Sequence, residues 1–359
     1  MKFYMPVRVY DEADCVKSHG KEIASHGEKA LIVTGRHSAK ACGALDDVIS
    51  VLDENNKTYC VFSEVEENPS VETIMKASAF GMEEQADFVI GIGGGSPLDA
   101  AKAIAFMMKR KSDQASDLYN ASLPTVSLDV IAIPTTCGTG SEVTGVSVLT
   151  VHDKATKMSI PHRIYPVLAL IDGKYLKSAS LSMIANTAVD AFAHMSESYL
   201  STKADLYSKT AALAGMKLWS EVKDILSGER QADDEDYAKL MRASTLAGIA
   251  IAQTGTSIPH ALSYILTYDQ KVPHGKACGY FLGKFIALAD EKDQKEILQA
   301  AGFESCEELS AYLDKALGEI QVPQETLQRA YDNVSASPVR MKSCRFEMDT
   351  DKLRVIANL

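Results

Sequence analysis

DFVIGIGGGSPLDAAKAIA, residues 87–105, decides the fold. An apolar run, DFVIGI (87–92), meets Gly93, Gly94, Gly95 and Ser96, and Pro97 then opens a stretch with helical spacing. Proline suits a first helical turn, where its missing N–H would have no partner. Without Cβ atoms at Gly94 and Gly95, a phosphate can approach the backbone amides, and the helix N-terminus beyond them favours negative charge. Ser96 adds a hydroxyl. Asp99 is expected in the first helical turn, as a complement to the helix dipole or a contact to a bound cofactor. Lys102, one turn on, is expected to face either cofactor or solvent. The plainer alternative is a tight strand-to-helix turn with no ligand. The segment does not complete G-x-G-x-x-G, because Ser96 stands where the last glycine would be, and no G-K-[ST] follows to make a P-loop.

Outward from this turn the same alternation repeats. ALIVT (30–34), TYCVF (58–62), DVIAIP (129–134) and VLALID (167–172) read as buried strands, with helical patterns at 38–54, 70–85 and 97–109 between them. VSVLT (146–150) reads as an extra strand or a hairpin edge. Strands alternating with helices imply βαβ units and a parallel sheet covered on both faces. After about residue 178 the strand signal stops, and helical patterns follow at 181–200, 205–226, 235–252, 256–267 and 277–290. The expected fold is therefore an α/β dinucleotide-binding domain over residues 1–177 and an all-helical domain over 178–359, with a ligand site expected between them.

A second polar turn, IPTTCGTGSEVT (133–144), follows another strand. Thr135, Thr136, Thr139 and Ser141 offer hydroxyls there, as the crevice at the strand C-termini of an open α/β sheet requires. A Ser/Thr turn closing on its own backbone is the alternative. Cys137 raises a second alternative, a thiol nucleophile, but no residue in the sequence is singled out as its activating base.

In the helical half, VDAFAHMSESYL (189–200) places Asp190 and His194 four residues apart, so both project from one helix face. His260 and His274 each follow a proline, Pro259 and Pro273. One carboxylate and three imidazoles can hold a divalent transition ion with coordination positions left open; such donors suit Fe²⁺, with Zn²⁺ the alternative, rather than Mg²⁺ or Ca²⁺. Taken singly, these residues read as a helix-surface pair, a core histidine and a loop histidine. His19, His26, His37, His152 and His162 fall outside the helical half.

Bulk properties narrow the function classes. With 359 residues the chain is long for a single core, and 46% hydrophobic and 24% charged residues are ordinary for a soluble globular protein. A net charge of -11 argues against nucleic acid and anionic membranes as partners. No run approaches the roughly 18 apolar residues of a membrane span, and the N-terminus lacks a signal-peptide layout. Seven scattered cysteines without a C-x-x-C pair read as free thiols in a reducing cytoplasm.

In this order, GGGSPLDAAK (93–102), IPTTCGTGSEVT (133–144), DAFAH (190–194), His260 and PHGKA (273–277) resemble the iron-containing (group III) alcohol dehydrogenase family, its short 1,3-propanediol and butanol dehydrogenase-like members in particular. The match runs from the strand at 30–34 to about residue 290 and includes EENPS (66–70) and AQTGTSIPHAL (252–262). The resemblance implies hydride transfer between a nicotinamide cofactor and a small alcohol or aldehyde, assisted by a metal. It implies Asp190, His194, His260 and His274 as metal ligands, and Asn68, Gly94, Gly95, Ser96, Thr135, Thr136 and Lys157 among the cofactor contacts. A homo-oligomer, in this family often a dimer, is expected. The sequence departs from the family pattern at Cys137, where alanine is common, and at Tyr264, where many members carry another histidine. A lyase of the related dehydroquinate-synthase type would need a basic pocket, and Lys and Arg are sparse around the ligand segments. A non-catalytic protein that keeps cofactor and metal as structural parts is the remaining alternative.

The turn after ALIVT bears on which nicotinamide is used. An acid at the end of an early strand binds the ribose hydroxyls of NAD and repels a 2′-phosphate. Here Gly35, Arg36, His37 and Ser38 follow, and no acid occurs between Thr34 and Asp46. Gly35 leaves room, Arg36 can pair with a phosphate through its planar fork and Ser38 can add a hydroxyl. NADP is the expected cofactor, with NAD the alternative; the plainer reading of Arg36 is a solvated loop charge.

Overall fold

The computed structural model describes residues 3–154 and 156–359. Eight strands are present among the described residues: β1 (Arg8–Asp11), β2 (Lys29–Gly35), β3 (Thr58–Val65), β4 (Phe88–Gly93), β5 (Val130–Pro134), β6 (Val148–Val151), β7 (Thr156–Ser159) and β8 (Leu168–Ile171). Six of them form one parallel sheet in the order β1-β8-β5-β4-β2-β3, and β6 pairs antiparallel with β7. Helices of more than two turns are numbered here: α1 (Ala44–Glu54), α2 (Val71–Glu83) and α3 (Gly95–Arg110) lie within the sheet unit.

Every central strand is apolar on both sides, and its alternate residues go to different cores. Leu31, Val33, Val89 and Val130 join Ile74 and Ala77 of α2 and Ile104 and Met107 of α3. Ala30, Ile32, Ile90, Ile133 and Leu168 join Val48, Val51 and Leu52 of α1. Continuous apolar runs are what a parallel strand covered on two faces requires. The edge strand β1 (RVYD) and the strand β7 (TKMS) escape a hydrophobicity reading because neither contains a buried residue.

The helical pattern at 38–54 divides into Ser38–Ala41 and α1. Gly43 (φ 81) takes the left-handed conformation between them, which glycine reaches at no steric cost. The helix after the glycine turn begins at Gly95, two residues ahead of Pro97, so Asp99 falls in its second turn rather than its first.

The chain separates into two compact units. One holds Met5–Thr136 and Gly140–Ser178; the other holds Ala179–Leu359 with Cys137–Thr139 and the N-terminal Phe3 and Tyr4. The second unit is helical: α4 (Leu181–Tyr199), α5 (Leu206–Ser220), α6 (Asp234–Thr254), α7 (Ile258–Gln270), α8 (His274–Ala287), α9 (Glu291–Ala301), α10 (Cys306–Leu317) and α11 (Gln324–Ser335). Its core includes Trp219, fully buried, whose indole N–H donates to the Ala188 carbonyl at 2.9 Å and whose ring stacks on Phe192. Among the described residues no helix is long and apolar enough to cross a membrane.

Candidate metal centre and nucleotide rim

Sheet register brings the polar turns to one edge. Thr34 pairs with Ile92, Gly93 with Pro134, and Gly35 with Val65, all in parallel. The C-terminal ends of β2, β3, β4 and β5 are therefore neighbours. Gly35, Arg36 and Ser38 leave β2; Asn68 follows β3; Gly94, Gly95 and Ser96 follow β4; Thr135 and Thr136 follow β5. Arg36, His37 and Ser38 are exposed at this rim.

Contacts along the rim hold it in shape. Asn68 (φ 60) donates its N–H to Ser96 Oγ at 3.0 Å, and Lys157 Nζ donates to Asn68 Oδ1 at 2.7 Å. Thr135 donates its N–H to the Gly93 carbonyl at 2.9 Å, while its buried Oγ1 has no hydrogen-bond partner. A Cβ on Gly94 would lie 3.0 Å from Thr136 Oγ1, and one on Gly93 (φ 149) would lie 2.6 Å from Pro97 Cγ. The bare backbone at both glycines is thus required by packing against Thr136 and Pro97, and the unpartnered Thr135 Oγ1 is the polar atom left here for a ligand.

Lys102 does not face solvent but is turned toward the segment that follows β5. Its side chain is fully buried, and Nζ donates to Ser141 Oγ at 2.7 Å and to the Val146 carbonyl at 2.8 Å. Burial pushes its ammonium below the usual lysine range, and Asp99 opposes the shift. Asp99 in turn accepts from Ser141 Oγ and from the Val148 N–H at 2.9 Å. Both residues tie α3 to the loop and strand after β5, and sequence spacing along one helix could not show that.

The helical unit gathers the second group. Asp190 and His194 project from α4, His260 lies in the first turn of α7, and His274 opens α8. Asp190 Oδ1 is 3.3 Å from His260 Nε2 and 3.7 Å from His274 Nε2. The His194 ring stacks on His260 with centroids 4.3 Å apart. Asp190 Oδ1 and His260 Nε2 are buried without a hydrogen-bond partner. Donor atoms of Asp190, His260, His274 and Cys278 all lie within 4.8 Å of one another. Buried polar atoms without partners are costly, and a cation among them removes the cost.

Tight helix packing makes this convergence possible. A Cβ on Gly275 would overlap the Asn186 carbonyl oxygen and lie 3.3 Å from Asp190 Cβ. The glycine after His274 therefore lets the start of α8 press against α4.

Neighbouring groups orient the imidazoles. His194 Nδ1 lies 3.2 Å from the Gly138 carbonyl, so it donates there and leaves Nε2 free. Glu197, a further turn along α4 and fully buried, accepts from the His260 Nδ1–H and from the Ser257 N–H. The carboxylate thereby caps the N-terminus of α7 and fixes the His260 tautomer with Nε2 turned toward Asp190. Burial raises the Asp190 carboxyl, but His194, His274 and His260 outweigh it and hold the group below the usual carboxylate range. Burial lowers His194 to about 4, against the pull of Asp190. At neutral pH that ring is uncharged, the state a metal ligand needs.

Glu197 and Cys278 were not singled out by the sequence reading. A signal for Glu197 existed: it is the only charged side chain within HMSESYL (194–200) after His194, and it lies seven residues after Asp190 on the same helix. Cys278 stands four residues after His274, the same spacing as Asp190 and His194. Cys137 is buried, its Sγ 3.3 Å from Thr187 Oγ1, and burial pushes its thiol up to about 11. A protonated thiol does not suit a nucleophile. Thr139, expected beside Thr135 and Thr136, groups with the helical unit.

Comparison with known proteins agrees with this geometry. Residues 6–173 match the family model for iron-containing alcohol dehydrogenase, and residues 184–342 match that for the C-terminal part of the same family. A crystal structure of an iron-containing alcohol dehydrogenase from Thermotoga maritima superposes with a TM-score of 0.90 at 36% identity, covering 99% of this chain and 98% of that one. Long-chain-alcohol dehydrogenase 1 of Geobacillus thermodenitrificans is 30% identical over 334 residues, 86% of this chain and 83% of that protein. The 1-propanol dehydrogenase of Citrobacter freundii is 34% identical over 229 residues, 63% of this chain and 58% of that protein. The aldehyde-alcohol dehydrogenase of Streptococcus pneumoniae, 30% identical over 76% of this chain, is far longer, and the match spans 32% of its length. The chain belongs to the iron-containing alcohol dehydrogenase family.

Proposed function

We propose that this chain is a metal-dependent alcohol dehydrogenase that passes hydride between NADP(H) and a small aliphatic alcohol or aldehyde. The observation that carries the reading is the pair of buried, unpartnered atoms Asp190 Oδ1 and His260 Nε2, aimed at each other beside His274 and His194. Asp190, His194, His260 and His274 would hold one divalent ion, Fe²⁺ or Zn²⁺. When bound, that ion supplies Lewis-acid polarisation of the substrate oxygen, and the nicotinamide supplies or accepts the hydride. The chain's own residues do the rest. Glu197 and the Gly138 carbonyl keep two imidazoles in the ligating tautomer. Gly94, Gly95 and Ser96 present backbone and hydroxyl donors to the pyrophosphate, with Thr135, Thr136 and Thr139 as further hydroxyls. Asn68 and Lys157 bind the cofactor from the neighbouring turn, and Asp99 positions the rim through Ser141 and Val148.

Preference for NADP rests on Gly35, Arg36 and Ser38 at the exposed end of β2. A relative named for 1-propanol supports a small alcohol; one named for long-chain alcohols makes chain length the first variable to test. All seven cysteines are free, which supports a reducing cytoplasm as the location. A dimer of identical chains is the assembly we infer. The lyase and non-catalytic readings are less favoured, because the site residues and the family membership point to redox chemistry.

The test is the ratio of kcat/KM for NADPH and NADH over a series of alcohols and aldehydes, in the wild type and in Gly35→Asp. A Cβ on Gly35 meets only the Val65 carbonyl, at an ordinary 3.5 Å, so the substitution fits. The wild type should favour NADPH, and Gly35→Asp should move the ratio toward NADH. A wild type that prefers NADH tenfold, about 1.4 kcal/mol of transition-state stabilisation, would overturn the NADP assignment.

A further inference from the structure

The ligands read from the sequence are one carboxylate and three imidazoles; the structure adds sulfur. Cys278 lies one turn after His274 on α8 and is fully buried. Its Sγ is 3.8 Å from His274 Nε2 and within 4.8 Å of the donor atoms of Asp190 and His260 as well. Its thiol also donates a hydrogen bond to Ser263 Oγ at 3.4 Å, a weak interaction that leaves the sulfur lone pairs available. Asp190 Oδ1 and His260 Nε2, both buried and both without a hydrogen-bond partner, face the same space.

We propose that Cys278 is itself a donor to the ion held by Asp190 and the histidines, so that the site offers sulfur beside oxygen and nitrogen. The proposal rests on the metal reading above and deepens it. On binding, the S–H bond breaks, the proton leaves to solvent and a sulfur–metal bond forms, with no change of oxidation state. Two anionic donors, the Asp190 carboxylate and the Cys278 thiolate, then balance a divalent charge. Thiolate donation also shifts the site toward softer ions, favouring Zn²⁺ or Co²⁺ over Mn²⁺ or Mg²⁺.

X-ray absorption at the zinc edge tests this on the 359-residue chain loaded with one Zn²⁺. The wild type should show a sulfur shell at about 2.3 Å beside nitrogen and oxygen at about 2.0–2.1 Å. Cys278→Ser should still bind one ion and lose the sulfur shell, while Cys137→Ser should keep it. The wild-type spectrum by itself reports whether any sulfur binds the ion, and the two serine variants then assign that sulfur. An ion bound through nitrogen and oxygen only, or a sulfur shell that survives Cys278→Ser, would overturn the role of Cys278 and leave the metal site standing. Failure to bind any ion would instead overturn the metal reading beneath it.

Discussion

Glu197 shows how much the His260 ring depends on a neighbour outside the proposed ligand set. Its carboxylate is buried at the N-terminus of α7 and holds His260 Nδ1, so its charge is compensated by a helix end and an imidazole. Burial raises its carboxyl, and His260, the Ser257 N–H and His194 together more than reverse the effect, leaving it below the ordinary value. Glu197→Gln keeps the shape but weakens the hold on His260 and the basicity of Nε2. Metal affinity should fall about 10–100-fold, the usual cost of losing such a support. Competition with a chelator would measure it. Affinity unchanged within a factor of two or so would show that Glu197 is only a helix cap. The same residue marks a limit of the sequence reading. A buried glutamate and an exposed one are spelled alike, and only the packing of α4 against α7 separates them.

At the scale of elements, the site is an encounter of α4, α7 and α8, and its closest approach is at Gly275. The overlap a Cβ would make there is with a backbone carbonyl, that of Asn186, which cannot swing aside as a flexible side chain would. Gly275→Ala should push α8 away from α4, costing about 1–3 kcal/mol as other overpacked cores do, or more. It should weaken metal binding at the same time, since His274 and Cys278 ride on α8. Thermal unfolding with and without metal would check both effects; a variant that melts like the wild type and binds metal as tightly would contradict the packing account. Elements differ in how plainly the sequence announces them. β2, β4, β5 and β8 are apolar on both faces and could be read directly, whereas β1 and β7 could not, because a strand without a buried residue has no hydrophobic period. Lys102 illustrates the same limit within a helix: its partners Ser141 and Val146 come from a distant segment, so no local pattern shows that it is buried.

Across the molecule, one unit supplies a polar rim at the ends of four parallel strands, and the other supplies a cluster of carboxylate, imidazole and thiol. Asp190, His194, His260 and His274 could be named from the sequence because two share a helix face and two follow prolines in recognisable motifs. Their convergence, and the support from Glu197 and the Gly138 carbonyl, required the fold. The central claim is that turnover depends on a single ion at this cluster. The most direct measurement titrates chelator-stripped protein with Fe²⁺ while following reduced nicotinamide by absorbance in the presence of an alcohol. Activity should be absent at the start, rise in proportion to bound metal and level off at one ion per chain, and His260→Ala should abolish both binding and the rise. Full alcohol oxidation by the stripped protein would contradict the account.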